Sequence, residues 1–65
     1  MDPKINTILR FIKEKKLKDA EEKCVEILHK YHNNPEFLNI FAIILFQLKK
    51  YNDAINKWKK AILSK

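Results

Sequence analysis

The sequence predicts an all-α protein of four helices that form one domain over residues 1–65. Three observations predict this fold. The chain has no glycine, its two prolines, Pro3 and Pro35, each stand where a helix can begin, and its apolar residues recur at the i, i+3, i+4, i+7 spacing of a helix face. A chain this short buries only about 60% of the surface that it exposes when unfolded, so we expect a domain of low stability.

The first two helices are predicted over residues 3–14 and 17–31. Asp2 can cap the first helix, with Pro3 at its first position. The segment His32-Asn33-Asn34-Pro35 ends the second helix. The predicted apolar faces are Ile5, Ile8, Leu9 and Ile12 in the first helix, and Leu17, Ala20, Cys24, Ile27, Leu28 and Tyr31 in the second.

The third and fourth helices are predicted over residues 35–48 and 52–64. Asn34 can cap the third helix, and between Phe37 and Leu48 only Asn39 and Gln47 are polar. We therefore expect the third helix to be a central core helix, buried nearly all round. It is too short for a membrane span, which needs about 20 apolar residues. The apolar face predicted for the fourth helix is Tyr51, Ala54, Ile55, Trp58, Ala61 and Ile62.

An internal repeat becomes visible when the sequence is compared with itself at an offset of 34 residues. Leu17-Lys18-Asp19-Ala20 then aligns with Tyr51-Asn52-Asp53-Ala54. The apolar positions correspond, and so do the small residues Ala20 and Ala54, where the two helices of a hairpin must approach closely. The chain is therefore predicted to be two tandem antiparallel helical hairpins, with repeat one at 1–34 and repeat two at 35–65.

A 34-residue helix-turn-helix repeat with this pattern resembles the tetratricopeptide repeat family, over the whole chain. The chain departs from the family pattern in having Lys49 where a turn glycine is usual. The matching positions are Leu38, Ala42, Leu45, Tyr51, Ala54, Trp58, Ala61 and Ile62 in the second copy, and Ile8, Phe11, Leu17, Ala20, Cys24, Ile27 and Leu28 in the first.

The resemblance implies a right-handed superhelical stack of hairpins, whose first helices line a groove for a peptide or a partner helix. An alternative interpretation of Ile43 and Phe46 is ordinary core filling. Family members that bind a terminal carboxylate use paired Lys and Asn side chains, whereas this chain has Ile5 and Leu9 there, so we exclude that subtype. By the offset, the groove residues are Ile5, Leu9, Ile12, Lys13, Asn39, Ile43, Phe46 and Gln47, with Asp2 and Glu36 beside them.

The function expected from the sequence is therefore a protein–protein interaction module. Apolar residues near the end of the second hairpin exceed what two hairpins can bury, so we also expect self-association, as a homodimer, or further repeats. The alternative is that the chain is the first part of a longer repeat protein or of an enzyme such as a glycosyltransferase. The residues predicted to self-associate are Ile40, Ile44, Trp58 and Ile62.

The net charge of +6 keeps nucleic-acid binding as a further alternative, which we do not expect to hold. Thirteen of the fourteen basic residues are lysines, and only Arg10 can make bidentate contacts to phosphate or guanine. Turn lysines should form a basic edge that either binds an acidic partner or is simply solvated. These lysines are Lys13, Lys15, Lys16, Lys18, Lys49 and Lys50.

We expect no enzyme activity, metal or cofactor. Cys24 falls on an apolar helix face, where a buried thiol stays protonated and inert. His29 and His32 are expected to cap helix carbonyls, because they lie near the C-terminal end of a helix. No metal site is expected there, because no further ligand lies near them in sequence. A single cysteine and a polar start without a signal peptide favour a cytoplasmic protein, with no membrane partner.

Overall fold

The computed structural model describes residues 2–63 and confirms an all-helical chain. The four predicted helices are present, and these described residues contain no strand. The second helix has its predicted bounds, the first and third end one residue early, and the fourth begins one residue early. Its predicted end at residue 64 lies outside the described residues. The helices are α1 (Pro3–Lys13), α2 (Leu17–Tyr31), α3 (Pro35–Gln47) and α4 (Tyr51–Leu63).

Side-chain caps fix the start of α1 and of α3, as the sequence predicts. The Asp2 carboxylate accepts a hydrogen bond from the backbone N–H of Lys4, with a distance of 2.8 Å. Asn34 Oδ1 accepts one from the backbone N–H of Phe37, at 2.9 Å. A proline follows each cap in the first turn of its helix. Because each of these capping bonds joins residues close in sequence, it favours the helix start independently of tertiary packing.

The turns that close the two hairpins have the same geometry, 34 residues apart. Lys15 and Lys49 both adopt the left-handed backbone conformation, with φ of 60° and 64°. Two backbone hydrogen bonds, of 2.8 to 3.0 Å, then close each turn in the Schellman arrangement. Their donors and acceptors are Lys15 to Ile12 and Lys16 to Phe11 in the first turn, and Lys49 to Phe46 and Lys50 to Leu45 in the second.

Lys49→Gly is expected to stabilise the domain by about 1 kcal/mol, because glycine has no Cβ to oppose a positive φ. In a domain of this size, this raises the midpoint of thermal unfolding by roughly 4–8 °C. Lys59→Gly in the middle of α4 is the matched control, and it should destabilise by about 1 kcal/mol. If circular-dichroism melts gave Lys49→Gly a lower midpoint than the parent, the turn geometry would be wrong.

Consecutive helices pack on one another, so that α2 and α3 join the two hairpins. Phe37 of α3 lies at this junction, with its ring centroid 5.6 Å from that of Tyr31 on α2. Ala20 and Ala54 are fully buried. The core comprises Ile5, Ile8, Ala20, Cys24, Ile27, Phe37, Leu38, Phe41, Ala42, Ile44, Leu45, Ala54 and Ala61.

The third helix is less buried than the sequence predicts. Ile43 is 37% exposed and Phe46 is 52% exposed, so their interpretation as core filling is wrong. The prediction for Ile44 is wrong in the opposite sense. It placed Ile44 at a self-association surface, but the residue is only 1% exposed. The physical reason is the thinness of the molecule, which measures 30 × 27 × 16 Å. A helix with its side chains is about 10–12 Å across, so one side of α3 stays open while the other meets its neighbours.

Candidate functional site

A continuous apolar surface lies on the open side of the α3–α4 hairpin, and we call it the outer face. On α4 its residues follow one another at intervals of four, three and four, which places them along one side of the helix. Ala54 and Ala61 take the neighbouring side of α4 and are buried. The outer face consists of Asn39 and Phe46 on α3 and of Tyr51, Ile55, Trp58 and Ile62 on α4.

Three aromatic rings form a row along the outer face, from the hairpin turn towards its open end. The centroid of the Phe46 ring lies 5.1 Å from that of Tyr51 and 6.0 Å from that of Trp58, in edge-on and tilted contacts. Trp58 Nε1–H donates a hydrogen bond of 2.9 Å to Asn39 Oδ1. This bond satisfies the single donor of the indole and fixes the plane of the ring. Asn39 thus holds the Trp58 ring in one orientation.

A groove of about 360 Å³ opens on the outer face at the end away from the hairpin turn. Trp58, Ala61 and Ile62 form its α4 side, and the first turn of α3, with Pro35 and Glu36, forms the other. Its volume falls near the lower end of the range for small-ligand pockets, about 300–1,000 Å³. A groove with apolar walls and one carboxylate at its edge suits a single large apolar side chain.

The first hairpin shows what happens to the corresponding surface when another helix lies against it. At an offset of 34 residues, Trp58 corresponds to Cys24 and Ile62 corresponds to Leu28. Cys24 and Leu28 lie on α2, which packs against α3. Cys24 is fully buried and Leu28 half-buried, whereas Ile62 is 71% exposed. Ile62 on the outer face is therefore more exposed than its counterpart in the first hairpin, whose second helix packs against α3.

The residues predicted to line the groove of the repeat stack differ in how exposed they are. Ile5 is buried and Ile12 is half-buried, while Leu9, Lys13, Ile43 and Gln47 are exposed. Asn39 and Phe46, by contrast, meet Trp58 on the outer face. The structure thus joins two residues predicted for the groove with Trp58 and Ile62, which were predicted for self-association.

Ile40 lies elsewhere, at a second cavity of about 280 Å³ between the first turns of α1 and α3. This cavity is lined by Ile5, Ile40 and Phe37, with Asp2 and Tyr31 beside them. Ile40 is half-buried and packs against the core. Ile40 does not line the groove beside Trp58 and Ile62, although Glu36 lines both cavities.

Tyr51 and Ile55 belong to the outer face, although they were predicted only as part of the apolar side of α4. The signal was present in the sequence, because six apolar residues in one helix make a stripe wider than one contact can cover. Ala54 and Ala61 turn to the core, and the larger residues are left outside. Ile55 and Tyr51 are each about half exposed, at 47% and 48%.

Asp2 has a structural role at the start of α1. Its carboxylate accepts hydrogen bonds from the Tyr31 hydroxyl at 2.7 Å and from Lys30 Nζ at 3.3 Å, besides the backbone N–H of Lys4. The backbone bond is the largest cause that lowers the pKa of Asp2 to about 2, followed by the bond from Tyr31. Asp2 therefore stays ionised at neutral pH and joins α1 to the end of α2.

The thiol of Cys24 is not available for chemistry in this fold. It lies fully buried in the core, and burial raises its pKa to about 12. A thiol with so high a pKa is protonated at neutral pH and is a poor nucleophile or metal ligand. His32 caps the helix end, as predicted: its Nδ1 lies 3.0 Å from the carbonyl oxygen of His29.

Two of the turn lysines form ion pairs with carboxylates. Lys50 Nζ lies 2.7 Å from a carboxylate oxygen of Glu21, an ion pair that joins the second hairpin to α2. Lys16 pairs with Glu14 at 3.6 Å. Lys49 is exposed and makes no ion pair within residues 2–63. The basic edge thus contains structural ion pairs beside solvated lysines.

Comparisons with protein-family models, with curated proteins and with solved structures find no match for this chain. None of the helices within the described range is long and apolar enough to cross a membrane.

Proposed function

We propose that this chain is a protein-interaction module that binds an apolar helix of a partner protein across the outer face. The observation that supports this proposal most directly is the aromatic group on the outer face. In it Phe46 and Tyr51 are about half exposed, Trp58 is partly exposed, and Asn39 holds the Trp58 ring. Contiguous exposed apolar patches are uncommon on isolated small proteins and are typical of binding surfaces. Trp and Tyr are also the residue types that dominate binding energy at interfaces.

A helix is the partner structure that fits this surface best. Tyr51, Ile55, Trp58 and Ile62 follow the four-three-four spacing with which one helix packs along another. The groove beside Trp58 and Ile62 then takes one large side chain of the partner helix. In this mode of binding, the surface contacts apolar residues at positions i, i+3, i+4 and i+7 of the partner helix.

The proposal includes a scaffold of the tetratricopeptide type, with repeats at 1–34 and 35–65. Two observations support it. The hairpin turns have the same backbone conformation and the same hydrogen bonds at Lys15 and Lys49. Ala20 and Ala54 are buried at corresponding positions. The right-handed stacking implied by that resemblance is part of the proposal.

The proposal also assigns no catalytic role and a cytoplasmic location to this chain. The burial of the Cys24 thiol, which raises its pKa to about 12, supports this assignment, because a protonated thiol is a poor nucleophile. A single cysteine is the usual composition of a protein from a reducing compartment.

The proposal is tested by selecting helical peptides from a display library against the immobilised chain. Their affinities are then measured by fluorescence anisotropy at the lowest workable protein concentration. Ile62→Asp should weaken the selected peptides by tenfold or more, because it places a charge in the apolar contact. Val25→Asp on α2 is the matched control, since Val25 is also an exposed apolar helix residue. Selected peptides that bind both variants as they bind the parent would overturn the proposal.

A further inference from the structure

We infer that the outer face is covered by a second copy of this chain, packed antiparallel, so that the open end of each hairpin lies against the turn of the other. This rests on the proposed function, because it names the partner of the same face. A two-fold axis lets one patch serve both subunits, so a single exposed face suffices for a closed dimer.

The apolar content of the outer face fits a contact between two copies. Ile62 is mostly exposed, and Phe46, Tyr51 and Ile55 are each about half exposed. Between the two ends of the outer face, the polar residues beside the stripe are uncharged apart from Lys59, and this lets the two copies approach in spite of their net charge of +6. Besides Lys59, these flanking residues are Asn39, Gln47, Asn52 and Asn56.

The charges at the two ends of the outer face favour the antiparallel arrangement. Glu36 lines the groove at the open end of the hairpin, and Lys49 lies in the turn at the other end, next to Tyr51. Both are exposed, and neither makes an ion pair among the residues that the structure describes. An antiparallel pair places each Glu36 near the other copy's Lys49, whereas a parallel pair keeps these two opposite charges at opposite ends of the contact.

The first test is the mass in solution, measured by light scattering and sedimentation velocity across a dilution series from about 1 μM to about 1 mM. The parent and Val25→Asp should both form a dimer, with twice the monomer mass at the upper end of the series. Ile62→Asp should remain a monomer at every concentration. A parent that stays monomeric at the highest concentration, or an Ile62→Asp variant that dimerises like the parent, would overturn the inference.

The second test addresses the orientation of the two copies. Glu36→Lys and Lys49→Glu should each weaken dimerisation by about tenfold, because each replaces two opposite-charge contacts by two like-charge contacts. The double variant restores both pairs and should recover the parent dissociation constant to within a few-fold. Circular dichroism of all variants checks that the helices are intact. A double variant weaker than both single variants would overturn the antiparallel arrangement.

The inference and the proposed function can fail separately. If the parent is monomeric and yet binds selected helical peptides in a way that Ile62→Asp abolishes, the second copy is wrong and the binding face stands. If the parent neither dimerises nor binds any helical peptide through this face, both are overturned.

Discussion

Replacing Phe37 by alanine is expected to destabilise the domain by about 3–5 kcal/mol, the range for truncating a buried aromatic residue. The Phe37 side chain is only 1% exposed, and it lies where α3 meets α2. Its ring contacts Tyr31 on one side and Phe41 on the other, with centroid distances of 5.6 and 6.0 Å. A domain of this size rarely has more than about 3–5 kcal/mol of stability, so this variant should be largely unfolded at 25 °C.

The measurement is urea unfolding followed by far-ultraviolet circular dichroism and by the fluorescence of Trp58. Both signals should be lost together, because neither hairpin has a core of its own large enough to stay folded alone. Phe46→Ala is the matched control. It makes the same chemical change nine residues along α3, at a ring that is half exposed, and should cost roughly 1 kcal/mol. Equal losses for the two variants would show that Phe37 does not hold the hairpins together.

The starts of α1 and α3 could be predicted from the sequence because their causes are local. Asp2 and Asn34 accept hydrogen bonds from backbone groups two and three residues away, and a proline follows each. The helix ends were placed one residue late in α1 and α3. In each case the chain leaves the helix for a left-handed residue, Lys15 or Lys49, and lysine gives no sequence signal for that conformation.

The direction of each side chain on α3 could not be predicted. Ile43 and Ile44 are chemically the same and adjacent, but the first is exposed and the second is in the core. In a helix that is apolar on every side, the periodic pattern does not distinguish the packed side from the open one. Only the position of α2 and α4 relative to α3 decides this, and that position is a property of the whole fold.

The candidate site could be predicted only in part, for the same reason. Trp58 and Ile62 were predicted for self-association because the apolar residues near the end of the second hairpin exceed what two hairpins can bury. Both lie on the outer face. The bond between Trp58 and Asn39 joins residues nineteen positions apart on different helices, which no local pattern reveals. The groove positions on α1 came from the family resemblance, and of these Ile5 is used instead for the core.

Ala54→Leu is expected to destabilise the domain by about 1–3 kcal/mol through overpacking. Ala54 is fully buried in the first turn of α4, the part of that helix closest to the hairpin turn. Its backbone N–H donates to the carbonyl of Lys50 at 3.0 Å, which places it in the first hydrogen-bonded turn of the helix. A leucine side chain at this fully buried position has no space for its additional atoms.

Ala20→Leu should have an effect of similar size, because Ala20 is equally buried and its N–H makes the corresponding 3.0 Å bond to Lys16. Asn52→Leu is the matched control: it adds a leucine to the same turn of α4 as Ala54 but at an exposed position, and should change stability by no more than about 0.5 kcal/mol.

The two alanines lie in different hairpins, so the losses in the double variant should add. Thermal melts of the four variants provide the measurement. If both alanine variants melted with the parent, the helices would not approach closely at these two positions, and the 34-residue register between the hairpins would be wrong.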